Sequence, residues 1–213
     1  MHHSETSFAR FEPTPAAPAR RGALAAFALW AGAATLIGAS LMVGHWTTLP
    51  KPPAHDSQMT AAVATLRASR DDGRWMAVHV LYTSCRCSQR IFDHVVARPR
   101  VGGVAEKLVL IEHDAKLEQR ARAAGLSVEV VTQRQLSERF NLVAAPVLVV
   151  VDGGGTVRYL GGYTDRKQGP DIRDVAIIED LVAGQAADAL PLFGCAVSQQ
   201  LQRVLDPLGI KYD

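Results

Sequence analysis

Cys85 and Cys87 stand one residue apart in YTSCRCSQRI, Tyr82 to Ile91, with Arg86 between them. The third cysteine, Cys195, lies far along the chain in LFGCAVSQQ. Thiols this close support three kinds of chemistry: ligation of a soft metal ion, disulfide exchange, or plain packing. An apolar run ends just before the pair and a helical pattern begins just after it. The pair therefore falls at a helix N-terminus, where free N–H groups and partial positive charge favour an anion. Arg86 and Arg90 add full charges nearby. Both effects lower a thiol pKa toward neutral, and the thiolate is the species that attacks disulfides or binds metal. Two thiols beside arginines, in a polar turn, argue against simple packing.

A disulfide between Cys85 and Cys87 needs Cα atoms within about 7 Å and a dihedral near 90°. Alternating positions on an extended chain point apart, so such a bond forms with strain and is easily reduced. Cys195, again just before a helical pattern, has two roles open to it. It could approach the pair and resolve a mixed disulfide, or complete a three-thiolate metal site. Closely spaced soft thiolates suit Cu(I), with His94 or Cys195 as a third ligand. Against copper, the chain has no methionine-rich run and no dense histidine cluster. His79, in mid-strand, reads as a satisfied core histidine. His113 and Asp114 read as a solvated strand end. Asp152 to Gly155 reads as a hairpin turn, since it lacks the lysine and hydroxyl of a phosphate loop.

Strands alternating with helices must hold these residues. Trp75 to Tyr82 and Lys107 to Asp114 read as buried strands. SQRIFDHVVAR, AKLEQRARAAG and TQRQLSERFNL read as helices. A short strand is expected at Val128 to Val131. PVLVVVD, a glycine turn and TVRYLGG form a hairpin. A helix capped by Asp171 and ended by Gly184 follows, and CAVSQQLQRVL reads as a last helix. The first two strands are expected to be parallel, with an antiparallel hairpin beside them. The fold class is α/β, a mixed sheet flanked by helices.

The N-terminal quarter has another character. No Asp, Glu, Lys or Arg occurs from Gly22 to Pro50, a stretch long enough to cross a bilayer as a helix. Arg10, Arg20 and Arg21 precede it and only Lys51 closely follows. The positive-inside bias puts the N-terminus in the cytoplasm and the rest outside. The alternative, a cleaved signal peptide, has a shorter apolar run. The expected division is a disordered tail at 1–21, a transmembrane anchor at 22–46 ending near an interfacial Trp46, a proline-rich linker at 47–57 and one domain at 58–213. All three cysteines then face an oxidising compartment. The net charge of +2 and the absence of charge blocks give no reason to propose a nucleic-acid partner. With 213 residues, 48% of them apolar, the chain buries a sizeable core.

A buried strand running into cysteines at a helix start, followed by AAPVLVVVDGGGTVRYLGG, resembles the thioredoxin superfamily over about Trp75 to Gly184. The tether makes the likeness strongest to anchored, periplasm-facing proteins of the TlpA and ResA type. GGYTDRKQG and PLFGCAVSQQLQRVLDPLGIKY are also similar to a bacterial group labelled RedB. The resemblance implies that the Ala145–Pro146 bond is cis and faces the cysteines. It also implies that the backbone of Ala145 offers a pairing edge to a substrate peptide, and that Gly161 and Gly162 leave a flat, open surface beside it. Thioredoxins carry Cys-x-x-Cys, whereas this chain has Cys-x-Cys. CRCS also aligns as Cys85-x-x-Ser88, and both registers stay open. The implied activity is thiol–disulfide exchange on envelope proteins bearing thiols or disulfides, at a bacterial inner membrane. Cys85 attacks, Cys87 resolves, Cys195 is a second resolver, Arg86 and Arg90 tune the thiolate, and no cofactor is needed. The alternatives are a Cu(I)-delivery module and an inactive interaction domain on the same fold.

Overall fold

A computed structural model describes residues 19–53, 56–207, 209 and 212, with only the backbone described at 19–21, 40, 41 and 43–46. The expected tail lies outside the described residues up to residue 18, as does the side chain of Trp46. The chain divides into two compact units at Leu41/Met42. The first contains most of α1 (Ala19–Trp46). Among the described residues, this is the one helix long and apolar enough to cross a membrane, by length and composition.

In the second unit the elements run α2 (Ser57–Thr65), β1 (Trp75–Tyr82), α3 (Arg86–Ala97), β2 (Val104–Ile111), α4 (Ala115–Ala123), β3 (Ser127–Val131) and α5 (Gln133–Phe140). They continue with β4 (Ala144–Ala145), β5 (Val147–Val151), β6 (Val157–Gly161), α6 (Asp174–Val182), β7 (Cys195–Ala196) and α7 (Gln199–Leu205). The main sheet has the order β3-β2-β1-β5-β6. β1, β2 and β3 pair in parallel, and β5 runs antiparallel to β1 and β6. This is the thioredoxin-like α/β arrangement. β1 is apolar apart from His79 because both of its faces are covered. Met76, Val78 and Val80 enter the core shared with α2 and α5, whereas Ala77 and Leu81 enter the core under α3 and α6.

Local signals set most helix ends. Arg98 precedes Pro99, which disfavours helical backbone, so α3 stops at Ala97. Thr132 and Gln135 form a reciprocal capping box on α5, and Asn141 closes that helix in the left-handed region at φ 51°. Asp114 caps α4 through the N–H groups of Lys116 and Leu117 rather than simply facing solvent.

Four expectations change. β2 begins at Val104, earlier than Lys107, because Glu106 and Lys107 find buried ionic partners; Lys107 Nζ lies 2.7 Å from Asp71. Asp171 does not cap α6, which starts at Asp174, since the N–H of Arg173 is already bonded to the Tyr163 carbonyl at 2.9 Å. Cys195 and Ala196 are strand, not helix. The Ser198 side chain accepts from Leu201 N–H and fixes the start of α7 at Gln199. Finally, part of the expected linker is core. Leu49 is buried and its N–H bonds to the Leu192 carbonyl at 2.9 Å.

Candidate functional site

β1 delivers the chain to Thr83, whose hydroxyl bonds the Ile111 carbonyl at 3.0 Å. Gln89 Nε2 bonds the Thr83 carbonyl at 2.7 Å, so the turn before α3 is held from both sides. Cys85 occupies the N-cap of α3 in extended backbone, φ −97° and ψ 119°. Its own side chain is 1% exposed, whereas Cys87 is half-buried. None of the three cysteines is in a disulfide.

The third sulfur arrives from the far end of the chain. β7 pairs antiparallel with β4, and Cys195 sits opposite Ala145. The Ala145–Pro146 peptide bond is cis. Cys195 and Cys87 both hydrogen-bond the Cys85 sulfur. These two bonds, that of Cys195 foremost, hold the Cys85 thiol well below its ordinary pKa. Burial opposes them, and the N–H groups of Ser88 and Cys87 assist. No full capping hydrogen bond forms at the cysteine. The N–H groups nevertheless point at the sulfur closely enough to favour its anion, which is the helix-terminus effect anticipated from sequence.

The expected tuning residues are placed differently. Arg86 is exposed, and Arg90 Nη2 bonds the carbonyls of Gly169 at 2.6 Å and Pro170 at 3.1 Å. Neither arginine is among the leading causes of the Cys85 shift. Both line a cleft of about 340 Å³ together with Cys87, Pro146, Tyr163 and Phe193. Ser88, the alternative resolving position, is buried with its hydroxyl lacking a hydrogen-bond partner. It is not among the residues that line the cleft.

The expected pairing edge at Ala145 exists, but the chain's own β7 fills it. The expected open surface at Gly161 and Gly162 does not exist. Both glycines are buried because residues 190–192 run across them. A Cβ on Gly162 would lie 2.0 Å from the Pro191 carbonyl oxygen, and one on Gly161 would lie 3.0 Å from that of Leu190. Glycine is thus needed there for close backbone approach. Gly194 has the same constraint: its Cβ would lie 1.9 Å from the Ala145 oxygen and 2.5 Å from Pro146 Cδ.

The sequence also hid a buried ionic network behind the cleft. Tyr163 Oη donates to the Val147 carbonyl at 3.3 Å and lies 3.0 Å from His79 Nδ1. His79 is fully buried, as a satisfied core histidine should be, with Nε2 3.4 Å from Glu106. Glu106 pairs with Arg98 at 2.8 Å and Arg100 at 3.3 Å, and Arg98 pairs with Asp174 at 2.8 Å. Burial alone would raise the Glu106 carboxyl; hydrogen bonds from His79 and Arg98 overcome it and hold the group well below the usual carboxylate range. His94, considered as a thiolate neighbour or metal ligand, instead bonds Asp174 at 2.9 Å. Among the described residues, no group of three or more His, Cys, Asp or Glu is arranged to hold a metal ion.

No family model matches the chain, and no curated protein matches it. Remote likenesses exist among solved structures. An uncharacterized conserved protein from Geobacillus kaustophilus is 14% identical, with 60% of this chain and 78% of that one covered and a TM-score of 0.47. A hypothetical protein from Sinorhizobium meliloti is 16% identical, with 60% and 80% covered and a TM-score of 0.42. The thioredoxin domain of a thiol-disulfide oxidoreductase from Bacteroides vulgatus is 11% identical, with 41% and 69% covered and a TM-score of 0.34.

Proposed function

We propose that this chain is a thiol–disulfide oxidoreductase, anchored by α1, that exchanges disulfides with envelope proteins. One observation carries the reading: Cys85 caps the N-terminus of α3, Cys87 shares a cleft with the cis proline Pro146, and Cys195 is paired opposite Ala145, so three thiols converge on one helix end. A thiolate attacks disulfide sulfur, and neighbouring thiols can release the resulting mixed disulfide. Cys85 is the attacking group. Cys87, facing the cleft next to Pro146, is within reach of a bound partner. Arg86 and Arg90 give the cleft mouth a positive rim. The reaction needs nothing but a partner disulfide and, afterwards, a reductant or oxidant to reset the thiols.

The test uses the full-length protein in detergent. Exchange with a fluorescent disulfide peptide is followed, and the reduction potential is set with glutathione buffers. The wild-type chain accelerates exchange, and Cys85→Ser returns it to the uncatalysed rate. Undiminished exchange in Cys85→Ser would overturn the assignment.

A further inference from the structure

Residues 190–198 form a strap bonded to the domain at both ends. Leu190 N–H bonds Tyr159 Oη at 3.2 Å, and the Leu190 carbonyl accepts from Gly162 N–H at 3.0 Å. Leu192 is buried and bridged to Leu49. Past the cysteine, Val197 N–H bonds the Val143 carbonyl at 2.7 Å, and Ala196 N–H bonds Tyr212 Oη at 3.0 Å. Only Phe193, Gly194 and Cys195 lie between these fixed points. That short piece does what an incoming peptide would do. Cys195 and Ala196 pair antiparallel with β4, which sets the cysteine opposite Ala145. Its sulfur meets Cys85, and with the strap in place Cys85 is sealed from solvent.

We infer that Phe193–Ala196 is an intramolecular mimic of the substrate peptide, and that Cys195, not Cys87, is the thiol that closes onto Cys85. This rests on the exchange activity proposed above. In the cycle, Phe193–Ala196 lifts from β4 and a partner's extended, cysteine-bearing segment takes its place. The Cys85 thiolate attacks the partner disulfide. One sulfur–sulfur bond breaks as the Cys85–partner bond forms, and the first partner thiolate leaves and takes up a proton. The strap then re-pairs with β4 and displaces the partner's segment. The Cys195 sulfur, having given up its proton to solvent, attacks the Cys85 sulfur. A Cys85–Cys195 disulfide forms and the second partner thiolate departs. In sum, the Cys85 and Cys195 sulfurs give two electrons to the partner's disulfide, and the two departing partner thiolates take up two protons from water, one of which replaces the proton that Cys195 released. Release of the reduced partner and closure of the strap are thus the same event.

The test is disulfide mapping on the full-length protein. The protein is equilibrated across glutathione ratios, quenched in acid and alkylated, and its peptides are mapped by mass spectrometry. The expected species is Cys85 linked to Cys195, with Cys87 alkylated. In Cys195→Ser, a glutathione adduct on Cys85 should persist roughly tenfold longer or more, because an intramolecular attack has been lost. A Cys85–Cys87 bond with Cys195 alkylated, together with unchanged adduct lifetime in Cys195→Ser, overturns the inference while exchange itself stands. Absence of any disulfide or adduct at every ratio overturns both.

Discussion

Cys85 balances burial, which favours its neutral thiol, against two thiol donors and two backbone N–H groups, which favour its anion, and the donors win. Cys195 is the larger donor, so thiolate stability depends on the docked strap. Absorbance at 240 nm, read as wild type minus Cys85→Ser, should show ionisation well below the ordinary thiol value of about 8.5. Cys195→Ala should move that titration upward; an unmoved midpoint would remove Cys195 from the site's electrostatics. A folded pKa below the unfolded one stabilises the fold fully above the unfolded value. That contribution is lost as pH falls through the folded value. Glu106 obeys the same sign in the carboxylate range. Glu106→Gln strips Arg98 and Arg100 of a buried partner, and losing one side of such a pair costs about 3–5 kcal/mol. Chemical denaturation at neutral pH checks this, and a change within error would mean that the buried pair adds nothing net.

The central elements were legible because their signals are local. β1 was read to the residue, and α3, the hairpin and the parallel β1–β2 pair followed from apolar runs, turn glycines and helical spacing. What stayed hidden depends on tertiary partners. Glu106 lies just outside the strand expected at Lys107 to Asp114, and its partners His79, Arg98 and Arg100 come from other segments. The strap looked like the start of a helix because Ala196, Val197 and Leu201 have helical spacing, while the reason for Gly194 exists only where Ala145 crosses it. That crossing is testable. Gly194→Val places carbon against the Ala145 carbonyl and the Pro146 ring, so the strap cannot seat as it does. Overpacking of this kind costs about 1–3 kcal/mol. Each 1.4 kcal/mol taken from strap docking raises the open fraction about tenfold. Iodoacetamide should therefore alkylate Cys85 about five- to a hundredfold faster in Gly194→Val than in wild type at one pH. Equal rates would show that the strap is not what seals Cys85.

At the scale of the whole molecule, the residue that follows the apolar helix most closely in the folded unit is also tied to the redox strap. Leu49 is buried in the core and bridged to Leu192, three residues before Cys195. Leu49 thus ties the start of the folded unit to the strap. This matters only if α1 is retained as an anchor rather than removed as a signal, and charge decides which way it points. Arg20 and Arg21 flank its start and Lys51 follows its end, so the topology proposed from the positive-inside bias predicts residue 4 in the cytoplasm and residue 87 outside. A membrane-impermeant maleimide applied to intact spheroplasts should label Cys87 in the wild-type chain. In a Ser4→Cys, Cys87→Ser variant, residue 4 should react only after permeabilisation. The protein should also stay with the membrane through alkaline carbonate. Labelling of residue 4 from outside would reverse the topology and put the thiols in a reducing compartment, where an exposed-disulfide substrate is scarce. Release of the domain by carbonate with residue 4 lost would identify the helix as a cleaved signal. The thiol chemistry would then stand, and its confinement to the membrane surface would not.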